Sequence, residues 1–228
     1  MKHTFLSILI ICSIQLKGQA IYDTLQVKAC VETINEKITA LIKLGEAEKT
    51  IPLSLDSLCA CVEGRTLEQL QFESIEGTFI QLKNINTPII LKMTSPWCRS
   101  CVAEIPAINR IAKEYAGRVK IITLFNGDNE LLSKKASAYS PEIELIPSKN
   151  PNNIKYLKAA GFKHFLAYPT NYFLNESKEI IYATRGAIAQ KEATDDQPAI
   201  SKAMADQINY DRLKHYVEQL LIVKENEK

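Results

Sequence analysis

Glycine and proline are scarce, at 8 and 9 of 228 residues, which excludes a collagen repeat and a Pro/Gly low-complexity chain. Aromatic side chains make up only 7%, with one tryptophan and three histidines, yet 46% of the residues are hydrophobic. That share supports a packed core and excludes a wholly disordered chain. The chain also lacks any run of five or six like charges, and 28 basic against 26 acidic residues leave a formal charge of +2. A nucleic-acid groove or a polybasic membrane patch needs a much larger positive excess, so no polyanionic partner is expected.

What is present begins with an export signal over residues 1 to 20. Lys2 and His3 form a short basic start, Phe5 to Ile14 are apolar, and Gly18-Gln19-Ala20 place small residues at the minus-three and minus-one positions of a cleavage site. The apolar run falls well short of the roughly 20 residues that cross a bilayer, so no stable membrane insertion is expected once the signal is removed. Lipid attachment at Cys12 is disfavoured because bulky Ile11 precedes it where a small residue is required. Cleavage removes Lys2 and Lys17 and no acid, so the mature chain is electrically balanced. It retains Cys30, Cys59, Cys61, Cys98 and Cys101 in an exported, periplasm-like compartment where thiols tend to be oxidised. Five is an odd number, so at least one thiol has no intramolecular partner.

Periodicity divides the mature chain into a helical extension, residues 21 to 63, and a larger domain, 64 to 228. Val27, Val31, Ile34, Ile38, Leu41 and Ile42 recur at helical steps, and Gly45 follows as a stop. Alternation on either side of Glu76-Gly77 predicts a β-hairpin. Ile89 to Met93 reads as a buried strand, Cys98 to Tyr115 as a helix kinked by Pro106, and Val119 to Phe125 as a second buried strand parallel to the first. In that helix Val102, Ile105, Ile108, Ile111 and Ala112 are expected on one face. Helices are expected near 129 to 139 and 152 to 160, with a polar loop from Ile146 to Asn153 between them. A second hairpin follows, Pro169 to Leu174 and Glu179 to Ala183, then a surface loop over 189 to 202. Met204, Ile208, Leu213, Tyr216, Val217 and Leu220 line one side of a closing helix.

The chemistry concentrates at Trp97-Cys98-Arg99-Ser100-Cys101, between a predicted buried strand and a predicted helix. Two cysteines three apart at a helix start lie on one side of the first turn and can close a short disulfide. The free N–H groups of that turn carry partial positive charge, which stabilises a thiolate at the first cysteine and lowers its pKa. Cys98 is therefore the expected nucleophile, with Arg99 adding charge of the same sign. Cys101, one turn deeper, is the resolving thiol that attacks the Cys98 mixed disulfide. The alternatives are a static disulfide, which would gain little from so short a loop, and a zinc site with Cys59 and Cys61, whose spacing is not that of a common finger.

From about Gly64 to Gly186 the chain resembles thioredoxin-fold exported thiol-disulfide oxidoreductases of the TlpA/ResA group. The resemblance rests on the strand before Trp97-Cys98, on the extension Glu104-x-Pro106 that completes WCxxCxxExP, and on Tyr168-Pro169-Thr170 opening the late hairpin. It implies an α/β thioredoxin-like fold, a central mixed sheet flanked by helices with the N-terminal helical extension ahead of it. It also implies a cis Pro169 facing the cysteines and a Glu104 near them, where it exchanges a proton with the buried thiol or tunes its pKa. Tyr168 departs from the small residue common before this proline, which bears on partner preference. Trp97 and Tyr168 are read with Pro169 as the substrate-binding surface. The plainer alternatives are a solvated first-turn acid for Glu104, an edge-of-core aromatic for Trp97 and a strand-start proline for Pro169.

Cys30, Cys59 and Cys61 have no counterpart in the family core. Cys30 bridges to Cys59 or Cys61 and pins the leading helix, or Cys59-x-Cys61 relays electrons to Cys98 and Cys101, or the three remain unpaired. His164 and His215 have no link to the cysteines. The expected activity is an exported protein-disulfide oxidoreductase running in the reducing direction, with protein thiols and disulfides as substrates, a membrane electron donor, and neither cofactor nor resident metal. A peroxidase lacks its PxxxTxxC pattern. A thioredoxin-fold binding module or chaperone for a metal or haem apoprotein is the alternative of a different class, with no His or Met ligands beside the cysteines to favour metal.

Overall fold

A computed structural model describes residues 20–50, 56–194 and 197–226. The expected export signal and Cys12 fall almost wholly outside those residues, and Ala20 opens the first strand. The elements run β1 (Ala20–Ile21), α1 (Thr24–Lys43), β2 (Arg65–Thr66), β3 (Gln71–Glu73), β4 (Phe79–Gln81), β5 (Ile89–Thr94), α2 (Arg99–Ala103), α3 (Ile105–Glu114), β6 (Lys120–Phe125), α4 (Asn129–Ala136), β7 (Ile143–Pro147), α5 (Pro151–Ala159), β8 (Thr170–Leu174), β9 (Ile180–Arg185) and α6 (Lys202–Asn226).

The central sheet has the order β7-β6-β5-β8-β9. β5, β6 and β7 are parallel, and β8 and β9 run antiparallel to their neighbours. β5 is covered on both sides, and all six of its residues are buried. Alternation along it separates two cores. Ile89, Leu91 and Met93 join Val27, Val31 and Ile34 of α1, Phe72, Phe162 and Tyr172 on one face. Ile90 joins Ile108 and Ile111 of α3, Leu132 of α4 and Leu213, Val217 and Leu220 of α6 on the other. The leading helix and the sheet therefore share one apolar cluster.

Local chemistry accounts for the helix ends. Asp23 caps α1 by accepting from the N–H groups of Leu25 (2.7 Å) and Gln26 (3.2 Å), and Gly45, at φ +77°, follows the helix as expected. Asp128 caps α4 through the Leu131 N–H at 2.9 Å, and Asn150 caps α5 ahead of Pro151. Buried Asn153 then ties α5 to the first hairpin, accepting from Glu73 N at 2.7 Å and donating to Glu73 O at 2.8 Å.

Five expectations need correction. The helix over 98 to 115 is two helices: Glu104 ends α2 and begins α3, because Pro106 has no N–H to give and sits in the first turn of a new helix. Val102 leaves the expected apolar face and is 55% exposed. The segment assigned to a loop from Ile146 contains the end of β7, an edge strand parallel to β6 in which half-buried Glu144 interrupts the apolar signal. In α6 Met204 and Ile208 are exposed, whereas Ala205, Asn209, Leu213, Val217 and Leu220 face inward. Ile42 of α1 also lies outside the core.

Candidate active site

The site sits where β5 leaves the sheet. Ser95 to Trp97 turn the chain, and Cys98 takes the extended N-cap conformation at φ −88°, ψ 111° before α2. Its Sγ accepts from the Cys101 N–H at 3.1 Å and lies 3.2 Å from the Ser100 hydroxyl. Such donors stabilise negative charge on the sulfur. Cys98 and Cys101 are joined as a disulfide with Cα atoms 5.1 Å apart. Cys98 is partly exposed, whereas Cys101 is 1% exposed. The two sulfurs thus differ in access in the sense that a nucleophile and a resolving thiol require.

Across a turn of chain, Tyr168-Pro169 is a cis peptide, and the Tyr168 carbonyl oxygen lies 3.5 Å from Cys98 Sγ. The structure brings Cys98, Cys101, Tyr168 and Pro169 into one place. Trp97 stands beside them, 72% exposed, with the Lys149 ammonium 6.0 Å from its ring centroid. An edge-of-core role for Trp97 is incompatible with that exposure. His164 is nearer the site than its sequence context suggests, its ring 5.0 Å from that of Tyr168 and its Nδ1 2.9 Å from the Tyr172 hydroxyl. Burial pushes its pKa down to about 4.

Glu104 is 0% exposed, so the solvated first-turn acid is overturned. Its carboxylate pairs with Lys92 Nζ through Oε2. Its Oε1 accepts from Asn171 Nδ2 at 3.1 Å and from Arg212 Nη2 at 3.2 Å. Lys92 belongs to a polar row across the sheet in register, Thr123, Lys92, Asn171 and Thr184, all buried. Tyr139, hydrogen-bonded to Thr94, flanks the row, and burial together with the Glu104 charge pushes its hydroxyl up to about 12. Sequence reasoning missed Lys92, Asn171 and Arg212. Lys92 had a signal, being the one charge in Ile89 to Thr94. Arg212 had none, since 108 residues separate it from Glu104.

The remaining cysteines resolve one open question. Cys30 pairs with Cys61, Cα to Cα 5.8 Å, and Cys59 is free and buried. Desolvation pushes the Cys59 thiol up to about 12, outweighing nearby Arg185. A Cys59-x-Cys61 relay is thereby disfavoured, since Cys61 is occupied and Cys59 is a poor nucleophile. The same bond removes Cys61 from any zinc site built with Cys59, Cys98 and Cys101. Among the described residues no group of three or more His, Cys, Asp or Glu is placed to hold a metal ion, and no helix is long and apolar enough to cross a membrane.

Strand order β7-β6-β5-β8-β9, a Cys-x-x-Cys at the helix start after the central strand, and a cis proline opening the antiparallel pair define a thioredoxin-like fold. The chain is 24% identical to the thioredoxin-like protein YneN of Bacillus subtilis over 135 residues, which is 57% of this chain and 75% of that one. It is 33% identical to a thioredoxin of Haemophilus influenzae over 64 residues, 28% of this chain and 54% of that one. Among solved structures, StoA of Bacillus subtilis superposes with a TM-score of 0.41 at 22% identity, covering 52% of this chain and 88% of that one. No protein-family model matches the chain.

Proposed function

We propose that the protein is an exported thiol-disulfide oxidoreductase that reduces protein disulfides. The observation that carries the reading is the environment of Cys98 Sγ: a helix N-cap, an N–H at 3.1 Å, partial exposure, and the Tyr168 carbonyl at 3.5 Å. In the reduced protein the Cys98 thiolate attacks one sulfur of a substrate disulfide. A mixed disulfide forms and one substrate thiolate leaves, taking a proton from water. Cys101, deprotonated in turn, attacks Cys98 Sγ. The second substrate thiol departs and the Cys98–Cys101 disulfide closes, so two electrons have passed to the substrate. A membrane electron donor then returns the pair to the dithiol. Trp97 and the Tyr168-Pro169 turn form the surface that receives the polypeptide, and Glu104 tunes the buried thiol from one helical turn away. The apolar segment in residues 1 to 20 and the Cys30–Cys61 disulfide support an oxidising compartment outside the cytoplasm.

Insulin reduction with dithiothreitol tests the reading. Wild type accelerates precipitation, Cys98→Ser does not, and Cys101→Ser accumulates a mixed disulfide that survives non-reducing electrophoresis. No acceleration by wild type above the dithiothreitol background overturns it.

A further inference from the structure

Lys92 is the least expected residue of the sheet. It occupies the central strand, its side chain is 0% exposed, and its ammonium donates to the Glu104 carboxylate. A buried ion pair is weak evidence for stability, because apolar side chains of similar size usually serve as well. Fold stability therefore does not explain why this strand carries a lysine. The second cation, Arg212, reaches the same carboxylate from α6, where its side chain is 29% exposed. Its Nη2 also donates to the Gly186 carbonyl, and the Gly186 N–H donates to the Pro169 carbonyl at 2.9 Å. A continuous chain of polar contacts thus runs from Glu104, one helical turn beyond Cys101, through Arg212 and Gly186 to the proline turn facing Cys98.

We propose that Lys92 and Arg212 are positioning residues of the redox centre. They orient the Glu104 carboxylate below the cysteine pair, and Arg212 extends that hold to the Pro169 turn. Their combined charge exceeds that of Glu104 by one, which favours the thiolate-bearing reduced form and raises the reduction potential. The proposal rests on the oxidoreductase reading and adds the residues that set its driving force.

The half-reaction shows why charge matters. Two glutathione thiols give two electrons to the Cys98–Cys101 disulfide and become glutathione disulfide. The protein is left with the Cys101 thiol and a Cys98 thiolate, and one proton goes to water. The oxidised pair is neutral and the reduced pair carries a negative charge, so a nearby excess positive charge stabilises only the reduced side. Lys92 and Glu104 are fully buried and so little screened by salt, whereas Arg212 is 29% exposed and its share is screened in part.

The test is redox equilibration of the full chain with glutathione at pH 7, with the Cys98–Cys101 state read by alkylation and peptide mass, beside insulin turnover. Lys92→Met and Arg212→Gln each shift the equilibrium about tenfold toward the disulfide, equivalent to a potential about 30 mV lower. Arg212→Lys retains the charge and keeps the potential near wild type. It raises KM for insulin, because an ammonium does not span Glu104 and Gly186 as the guanidinium fork does. Equilibrium constants of Lys92→Met and Arg212→Gln both within twofold of wild type, or shifted the other way, overturn the proposal. If Lys92→Met does not fold, Arg212→Gln and Arg212→Lys decide the matter, since that side chain reaches the surface. Failure of wild type to reduce insulin would defeat the oxidoreductase reading alone, because the glutathione equilibrium reports the charge effect without a protein substrate.

Discussion

Removing the Cys30–Cys61 bridge separates anchoring from electron relay. The bond spans 31 residues of sequence and joins α1 to the turn at Leu58–Ala60. In the chain-entropy treatment, closing such a loop removes about 12 cal/mol/K from the unfolded ensemble, or about 3.7 kcal/mol at 25 °C. Cys61 is 3% exposed, so alanine rather than serine belongs there, and serine suits half-buried Cys30. For a chain of this length each kcal/mol moves the melting temperature by about 2 to 4 °C, so Cys30→Ser with Cys61→Ala should melt about 10 °C lower. Differential scanning calorimetry measures this, with both proteins carrying Cys98→Ser and Cys101→Ser so that the redox pair contributes nothing. In the background that keeps Cys98 and Cys101, insulin turnover at 20 °C should stay within twofold of wild type. An unchanged melting temperature with turnover lost would refute the reasoning and restore the relay.

Three further outcomes follow from the geometry. Trp97→Ala should raise KM for insulin by about tenfold, the share of one exposed aromatic anchor at a docking surface, and leave the melting temperature within 1 to 2 °C; equal losses in stability and binding would place Trp97 in the core instead. His164 is half-buried with its Nε2 unpartnered and its pKa lowered by desolvation to about 4, against about 6.5 in the unfolded chain. The unfolded state therefore binds the extra proton first, and this contribution, full above pH 6.5, is lost as pH falls toward 4, by about 3 kcal/mol in all. Urea midpoints for wild type and His164→Phe should converge across that window, and parallel pH curves would contradict the assignment. Finally, with the thiol of Cys59 pushed up to about 12, iodoacetamide at pH 8 should label Cys98 in the reduced native protein and leave Cys59 unmodified until urea is added; comparable labelling of both would show that Cys59 is accessible.

The redox motif was legible because its chemistry is local. A strand of apolar residues, a helix-start Cys-x-x-Cys and the Tyr168-Pro169 step are each written in a few adjacent positions, and β5, α2 and the cis peptide appear at those positions. Glu104 was legible only as a residue near the cysteines. Its burial follows from the break between α2 and α3, which turns the side chain inward against Lys92 and Arg212. β7 is not legible in the sequence because Glu144, its second residue, breaks the apolar run of a short edge strand. The inward face of α6 at its first two turns is small and polar, Ala205 and Asn209, so the larger apolar residues Met204 and Ile208 beside them mislead, and they remain exposed.

The amino-acid order alone determined that residues 98 and 101 form a pair at a helix start, because spacing along a helix and the charge of its first turn are properties of neighbouring residues. Only the tertiary structure decided that Cys30 joins Cys61 rather than Cys59, and that Lys92, Asn171 and Arg212 converge on Glu104. Those contacts link segments tens of residues apart, so they depend on how strands register and helices dock, and no local pattern records that outcome.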